Sequence, residues 1–195
     1  MESPRTGAVI LTGGSAVRLS GADKASIELG GLTMLEHAIG ALLDVDEVVV
    51  VGEPVPTTRP VTFTREDPAG GGPAAGVLAG MACFARRPEL LVVLAVDMPL
   101  VTSSTIRRLV EAVTSDERFD GAALIDAGRR LQYLCAVYSF EALQRVRPSY
   151  EEEHGLAMRR LVGTLRLEHV PAFGPESRDV DTWDDLLALR EAFGD

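Results

Sequence analysis

The chain has 195 residues, with 19 basic against 29 acidic side chains and a net charge of −10. A balance that acidic excludes a role in coating nucleic acid or an anionic membrane surface. A hydrophobic content of 46% with 25% charged residues is ordinary for a chain that buries a core, and it excludes extensive disorder. One count stands out: 18 of the 19 basic residues are arginine, and the one lysine is Lys24. Asparagine is absent.

In chain order, residues 7–11 (GAVIL) form a short continuous apolar run that opens into glycines, as a buried parallel strand does. A helical pattern follows over 33–43, with Thr33 as its N-cap, then a strand over 47–51 and a weaker one over 61–64. Residues 74–86 read as a helix, and 90–96 (LLVVLAV) as the strand most central by composition. A helix capped by Ser103 spans 103–113. Strands at 119–125 and 131–138 read as an antiparallel pair. The chain ends with a helix over 156–162, a strand over 165–170 and a helix over 181–193, whose first turn holds Asp181, Asp184 and Asp185. Strand then helix, repeated, predicts an α/β three-layer sandwich: a Rossmann-like, mostly parallel sheet with a mixed antiparallel region. One domain is expected over residues 1–195.

Residues 74–85 are too few to span a membrane, and no signal-peptide pattern opens the sequence, so the expected location is the cytoplasm. Cys83 and Cys135 fit no Cys-x-x-Cys or zinc spacing and are expected to be buried and reduced. His37, His154 and His169 show no ligand spacing and read as structural or surface residues.

In such sheets ligands bind beyond the carboxyl ends of the strands. Three segments fall there: the loop after the first strand, the loop over 67–76, and Asp97-Met98-Pro99. In the first, Gly13 and Gly14 directly follow a strand, so backbone N–H groups can approach an anion unobstructed, with Arg18 and Lys24 adding positive charge. The loop lacks the Gly-Lys-Ser/Thr ending of a Walker A motif, and its adjacent glycines do not make a dinucleotide fingerprint. The run from Gly70 to Ala75 fits a loose G-x-G-x-x-A, but Pro73 and the weak preceding strand argue against that reading. An ammonium is a compact, mobile point charge and a guanidinium a wide planar fork, so the one lysine in an arginine-rich chain draws attention to this loop. The bland reading is a solvated loop with incidental charges. Asp97 ends the most hydrophobic strand. A carboxylate there cannot stay buried unpaired and should face the ligand crevice and meet a cation. The competing reading is a cap for the helix near Ser103.

The run from Leu11 through Thr12, Gly13, Gly14 and Arg18 to Gly21-Ala22-Asp23-Lys24 resembles the signature of nucleotidyltransferases with a glycosyltransferase-A-like fold. More narrowly it is similar to the molybdenum cofactor guanylyltransferases, which read Leu-Ala-Gly-Gly, three residues, Arg, then Gly-x-Asp-Lys. Asp67 with Gly72-Pro73-Ala74-Ala75-Gly76 resembles the family's Asp…Gly-Pro-Leu-Ala-Gly segment, and Asp97-Met98-Pro99 its Asp-x-Pro. Asp181-Thr182-Trp183-Asp184-Asp185 stands where the family has Asn-Thr-Pro-Glu-Asp. The resemblance covers essentially the whole chain.

It implies transfer of GMP from GTP to the terminal phosphate of molybdenum-molybdopterin, with release of pyrophosphate. It implies nucleotide contacts from Leu11, Thr12, Gly13, Gly14, Lys24, Asp67 and Asp97, with Arg18, Lys24 and Asp97 as the catalytic set. It also implies Mg²⁺ held by Asp97 and Asp181, with Asp179 as a near alternative, which suits hard oxygen ligands. Acceptor contacts are implied for Arg129, Gln132, Arg159 and Arg160, and molybdoenzymes or cofactor-insertion proteins as recipients of the product. Bland readings stay open beside these: a helix-terminal carboxylate for Asp181, an Asp-Pro turn for Asp67, and a solvated helix face for the arginine pairs. Thr12 replaces the family's usual alanine, and Tyr133 a proline next to Gln132. The pair Asp23-Lys24 favours the guanylyl over the cytidylyl branch. A sugar-phosphate nucleotidyltransferase and a catalytically weak nucleotide-binding regulatory module also stay open.

Overall fold

The structure of the chain, a computed structural model, describes residues 4–13, 24–67 and 69–193. The strands are β1 (Thr6–Leu11), β2 (Glu28–Leu29), β3 (Leu32–Thr33), β4 (Glu47–Val51), β5 (Thr62–Thr64), β6 (Leu90–Ala95), β7 (Gly121–Ile125), β8 (Leu131–Ser139) and β9 (Leu167–Pro171). The helices are α1 (Met34–Gly40), α2 (Gly72–Met81), α3 (Ser103–Thr114), α4 (Phe140–Arg145), α5 (Tyr150–Glu153), α6 (Met158–Leu161) and α7 (Trp183–Phe193). Seven strands form one sheet in the order β5-β4-β1-β6-β8-β7-β9, which puts β6 at its middle. Strands β5, β4, β1 and β6 run parallel; β8 is antiparallel to both β6 and β7, and β9 returns parallel to β7. This is the mixed α/β sandwich of the glycosyltransferase-A-like type that the alternation of elements and the resemblance imply.

The continuous apolar runs have a direct cause. Side chains alternate across a strand, and here both faces of the sheet are covered. Ala8 and Ile10 of β1, Val48 and Val50 of β4, and Val92 and Leu94 of β6 pack toward α1, α3 and α7. Their neighbours Val9, Val49 and Val93 pack on the other face against α2, α4 and α6. No strand residue in this centre can therefore be polar. Among the described residues no helix is long and apolar enough to cross a membrane.

Local chemistry shifts several element boundaries. Thr33 caps α1, its hydroxyl accepting from Glu36 N at 3.1 Å. The cap of α3 is Thr102 rather than Ser103, with Thr102 N donating to Thr105 Oγ1 at 3.2 Å. Helix α2 ends at Met81, five residues short of the expected 86, because the chain must turn back to enter β6 beside β1, where Glu89 N and Leu90 N both donate to Arg5 O. That turn packs Phe84 edge-on against Phe140. Helix α6 keeps only Met158–Leu161 of the expected 156–162, since the preceding Gly155 N is bonded to Gly71 O at 2.8 Å. The β2–β3 hairpin, α4 and α5 escape the sequence pattern because each is too short to show a period. Helix α7 begins at Trp183, so Asp184 and Asp185 lie in its first turn and Asp181 stands ahead of it. Asp185 reaches back to accept from Thr182 N at 2.9 Å. Cys135 is buried, which pushes its thiol up to about 12, whereas Cys83 is only half-buried; both are free thiols.

Residues 172–181 form a strap from β9 to α7, and one buried carboxylate holds it. Glu176 is 7% exposed and accepts from Thr105 Oγ1 at 2.5 Å, from Phe173 N at 2.6 Å and from Arg108 Nη2. Farther along the strap, Val180 N donates to Asp97 O at 2.8 Å. Burial alone would raise the Glu176 carboxyl, but these donors outweigh it and hold it below its ordinary value of 4.5. Because the folded state has the lower pKa, the stabilisation is complete above the unfolded-state value and is lost as pH falls through the folded one. Replacing Glu176 with Ala should cost about 2 kcal/mol at neutral pH. In denaturant unfolding, Glu176→Gln should show a shallower loss of stability than the wild type as pH falls below the ordinary glutamate value.

Candidate active site

The parallel strands β4, β1 and β6 end together, and beyond their carboxyl ends lies a cleft of about 880 Å³. That size suits a small-molecule ligand. Its floor is Leu11, Thr12 and Gly13 from β1, Val51 from β4, and Ala95 to Met98 from β6. On the β4 side stand Glu66, Gly70, Gly72 and Pro73; on the β8 side, Leu131 to Leu134 with Met158 and Arg159 of α6. The turn before α2 needs glycine, since Gly70 and Gly72 have φ of 79° and 86°, a region that side chains disfavour.

Lys24 opens a short 3-10 turn, Lys24–Ser26, and is only 8% exposed. Its Nζ donates to Asp97 Oδ2 at 3.0 Å and to Asp181 Oδ1 at 3.0 Å. Burial alone would depress this ammonium, but Asp97 and then Asp181, by charge and hydrogen bond, hold it above its ordinary value. Asp97 is held above the usual carboxylate range, first by burial and then by the Asp181 and Asp179 carboxylates, against the pull of Lys24. One ammonium does not neutralise this group. Among the described residues the cleft is lined by four carboxylates, Glu66, Asp97, Asp179 and Asp181, and by two cations, Lys24 and Arg159. The described side chains therefore leave the cleft with more negative than positive charge.

That imbalance is the test for a divalent cation. Asp97 and Asp181 converge on one point, offer hard oxygen donors, and are short of positive charge, so the donor set fits a Mg²⁺ ion whose remaining oxygens come from a ligand and water. The described residues hold no group of three or more His, Cys, Asp or Glu arranged for a metal. A cation here would thus depend on the ligand for its remaining oxygens.

The structure brings together Leu11, Thr12, Gly13, Lys24, Asp97, Asp181, Gln132 and Arg159 from the sequence reading, and Asp179, its near alternative to Asp181, lines the same cleft. Gly14 and Arg18 lie outside the described residues. Asp67 borders a separate hollow of about 260 Å³ between α2 and α5, where its carbonyl accepts from Tyr150 Oη at 2.9 Å. Arg160 borders a third hollow with His154 and Leu156, because successive helix residues point to different faces. Arg129 sits in the β7–β8 turn at φ 62° with its N–H on Asp126 O, away from the cleft walls. Sequence reasoning missed Glu66, the apolar side chains of Leu131, Leu134 and Met158, and the placement of Tyr133 in that wall. A glutamate one residue before the expected Asp67 carried no signal of its own. His37 is structural, its Nε2 bonded to Leu29 O at 2.8 Å.

With this geometry in view, comparison with known proteins is decisive: residues 8–170 match the profile of the MobA-like NTP transferase domain. The chain belongs to the MobA-like NTP transferase domain family. A curated relative from Acidiphilium cryptum, a molybdenum cofactor guanylyltransferase, is 42% identical over 108 residues, covering 52% of this chain and 55% of that protein. A probable molybdenum cofactor guanylyltransferase of Mycobacterium bovis is 33% identical over 145 residues, 71% of this chain and 70% of that one. The chain thus spans little more than half the length of some curated relatives and about two thirds of others. The crystal structure of molybdopterin-guanine dinucleotide biosynthesis protein A from Archaeoglobus fulgidus superposes with a TM-score of 0.72 at 20% identity, covering 96% of this chain and 98% of that one. At that identity it speaks for the fold.

Thr12, the departure from the usual alanine, is accommodated by Gly52. Thr12 Oγ1 donates to Val51 O at 3.0 Å, and a Cβ at Gly52 would fall 1.8 Å from that hydroxyl. Gly52→Ala should displace Thr12 and the floor of the cleft, destabilising the fold by about 1–3 kcal/mol and weakening ligand binding in the cleft. Adding Thr12→Ala, which removes the colliding atom, should restore most of both in a double-mutant cycle of unfolding and binding.

Proposed function

We propose that the protein is a nucleotidyltransferase that moves GMP from GTP to the terminal phosphate of molybdenum-molybdopterin, yielding the guanine dinucleotide cofactor and pyrophosphate. The observation that carries this reading is the meeting of Thr12–Gly13, Lys24, Asp97 and Asp181 at the carboxyl end of the parallel strands. Its support is membership of a family whose curated relatives bear the guanylyltransferase name.

In the reaction a terminal phosphate oxygen of the acceptor attacks the α-phosphorus of GTP in line. A new P–O–P link forms as the α–β bridging bond breaks, and the electron pair leaves with pyrophosphate. The attacking phosphate is already ionised at neutral pH, so no general base is needed, and positioning and charge neutralisation supply the rate. The backbone of Thr12 and Gly13, joined by Gly14, Arg18 and Lys24, receives the triphosphate. Asp97 and Asp181 would hold Mg²⁺, which would supply positive charge to offset that of the phosphates. The acceptor lies along Leu131–Leu134, with Gln132 and Arg159 as its polar contacts. Gln132 is pre-set by donating to Asp126 Oδ2 at 3.2 Å. Asp67, Arg129 and Arg160 stand away from the cleft lining and make no contact there. A molybdoenzyme or an insertion protein then receives the product.

Pyrophosphate release with GTP, CTP, ATP and UTP, each with and without molybdopterin and Mg²⁺, tests the reading. Release confined to GTP with molybdopterin and Mg²⁺ is expected. Preference for CTP would move the protein to the cytidylyl branch, and no release with any pair would make it a binding module. Lys24→Ala should lower turnover by about 10²–10³ while unfolding stays cooperative.

A further inference from the structure

A divalent cation and the Lys24 ammonium need the same place. Nζ fills the position between Asp97 Oδ2 and Asp181 Oδ1, 3.0 Å from each. A cation held by both carboxylates would take that position at shorter range, about 2.0–2.1 Å for Mg²⁺. Occupancy by one therefore excludes the other. We propose that Lys24 is the resident counterion of the Asp97–Asp181 pair, and that a divalent cation entering there evicts the ammonium and turns it loose on the polyphosphate. The inference rests on the reading above that these two carboxylates hold the metal.

Three further observations point the same way. The carboxylates are open to the cleft, at 24% and 47% side-chain exposure, while the lysine is 8% exposed, so an arriving ion meets oxygen before it meets nitrogen. Lys24 already belongs to the cleft lining, so an evicted ammonium has the ligand cavity to turn into. The third is the residue type. A counterion that must leave has to be held weakly enough to be displaced. Guanidinium grips carboxylates through a planar two-bonded fork, whereas an ammonium is a compact charge on a flexible stem. In a chain with arginine at 18 of 19 basic positions, the lysine stands between the two carboxylates that the cation would take.

The exchange is tested without turnover, by Mn²⁺ binding to the ligand-free protein followed by electron paramagnetic resonance. Lys24→Met removes the competitor and should tighten Mn²⁺ binding by about tenfold. Lys24→Arg keeps the charge but grips harder, and should bind Mn²⁺ more weakly than the wild type. Asp97→Asn should abolish the site in every background. Melting temperature gives a second readout, with Mn²⁺ raising that of Lys24→Met more than that of the wild type. If Asp97→Asn abolishes binding but Lys24→Met binds no tighter than the wild type, or Lys24→Arg binds as tightly, the ammonium is no competitor and the proposal falls while the metal reading stands. If Mn²⁺ binding is indifferent to Asp97 in all variants, the metal reading falls and takes the proposal with it.

Discussion

One ammonium shared between two carboxylates ties the functional end of this molecule together. Lys24 bonds to Asp97, 73 positions away, and to Asp181, 157 positions away, so three remote segments must arrive at one point. Burying a charge is tolerable only when it is paired, which makes that meeting a constraint on the fold as much as on the site. The segment opening at Lys24, the turn leaving β6 and the strap before α7 meet on an apolar base of Ala25, Val96, Met98 and Val180, and their polar ends pair beside it.

The scaffold beneath makes the meeting possible. Strands β1, β4 and β6 are buried on both faces, so their apolar runs continue until the chain reaches the cleft, and the first polar groups appear where the strands stop. Asp97 is the first carboxylate after β6 for that reason. The strap is then anchored twice, by Glu176 among Thr105, Phe173 and Arg108, and by Val180 on the Asp97 carbonyl. Asp181 is presented to Lys24 by those anchors together with Asp185 in the first turn of α7, whose carboxylate accepts from Asp181 N at 3.3 Å.

Much of this was legible from the residues. The alternation of apolar runs and helical patterns yields the layered architecture and the middle position of β6, because strand and helix periods are local properties of the chain. The glycines after β1, the lone lysine and Asp97-Met98-Pro99 mark the carboxyl end of the sheet as the place for chemistry. What escaped was short or indirect. The β2–β3 hairpin and α5 are below the length at which a period shows. Glu66 borders the cleft while Asp67 borders the hollow beside it, a choice made by a turn whose φ angles composition does not reveal. The arginine pairs split for a related reason: Arg159 lines the cleft and Arg160 the hollow beyond α6.

The sequence alone determined which groups were available: a two-faced parallel sheet, a glycine-rich turn after its first strand, one ammonium, and carboxylates at the ends of buried segments. It also carried the family resemblance through motifs of contiguous residues. Only the tertiary structure decided partnership. That Lys24 is occupied by Asp97 and Asp181, that Asp179 stands by without bonding it, and that the described cleft carries more negative than positive charge all depend on segments far apart in the chain. Local periodicity is set by backbone geometry over a few residues. A salt bridge across 157 positions is set by how the whole sheet and its strap close, which no local pattern encodes.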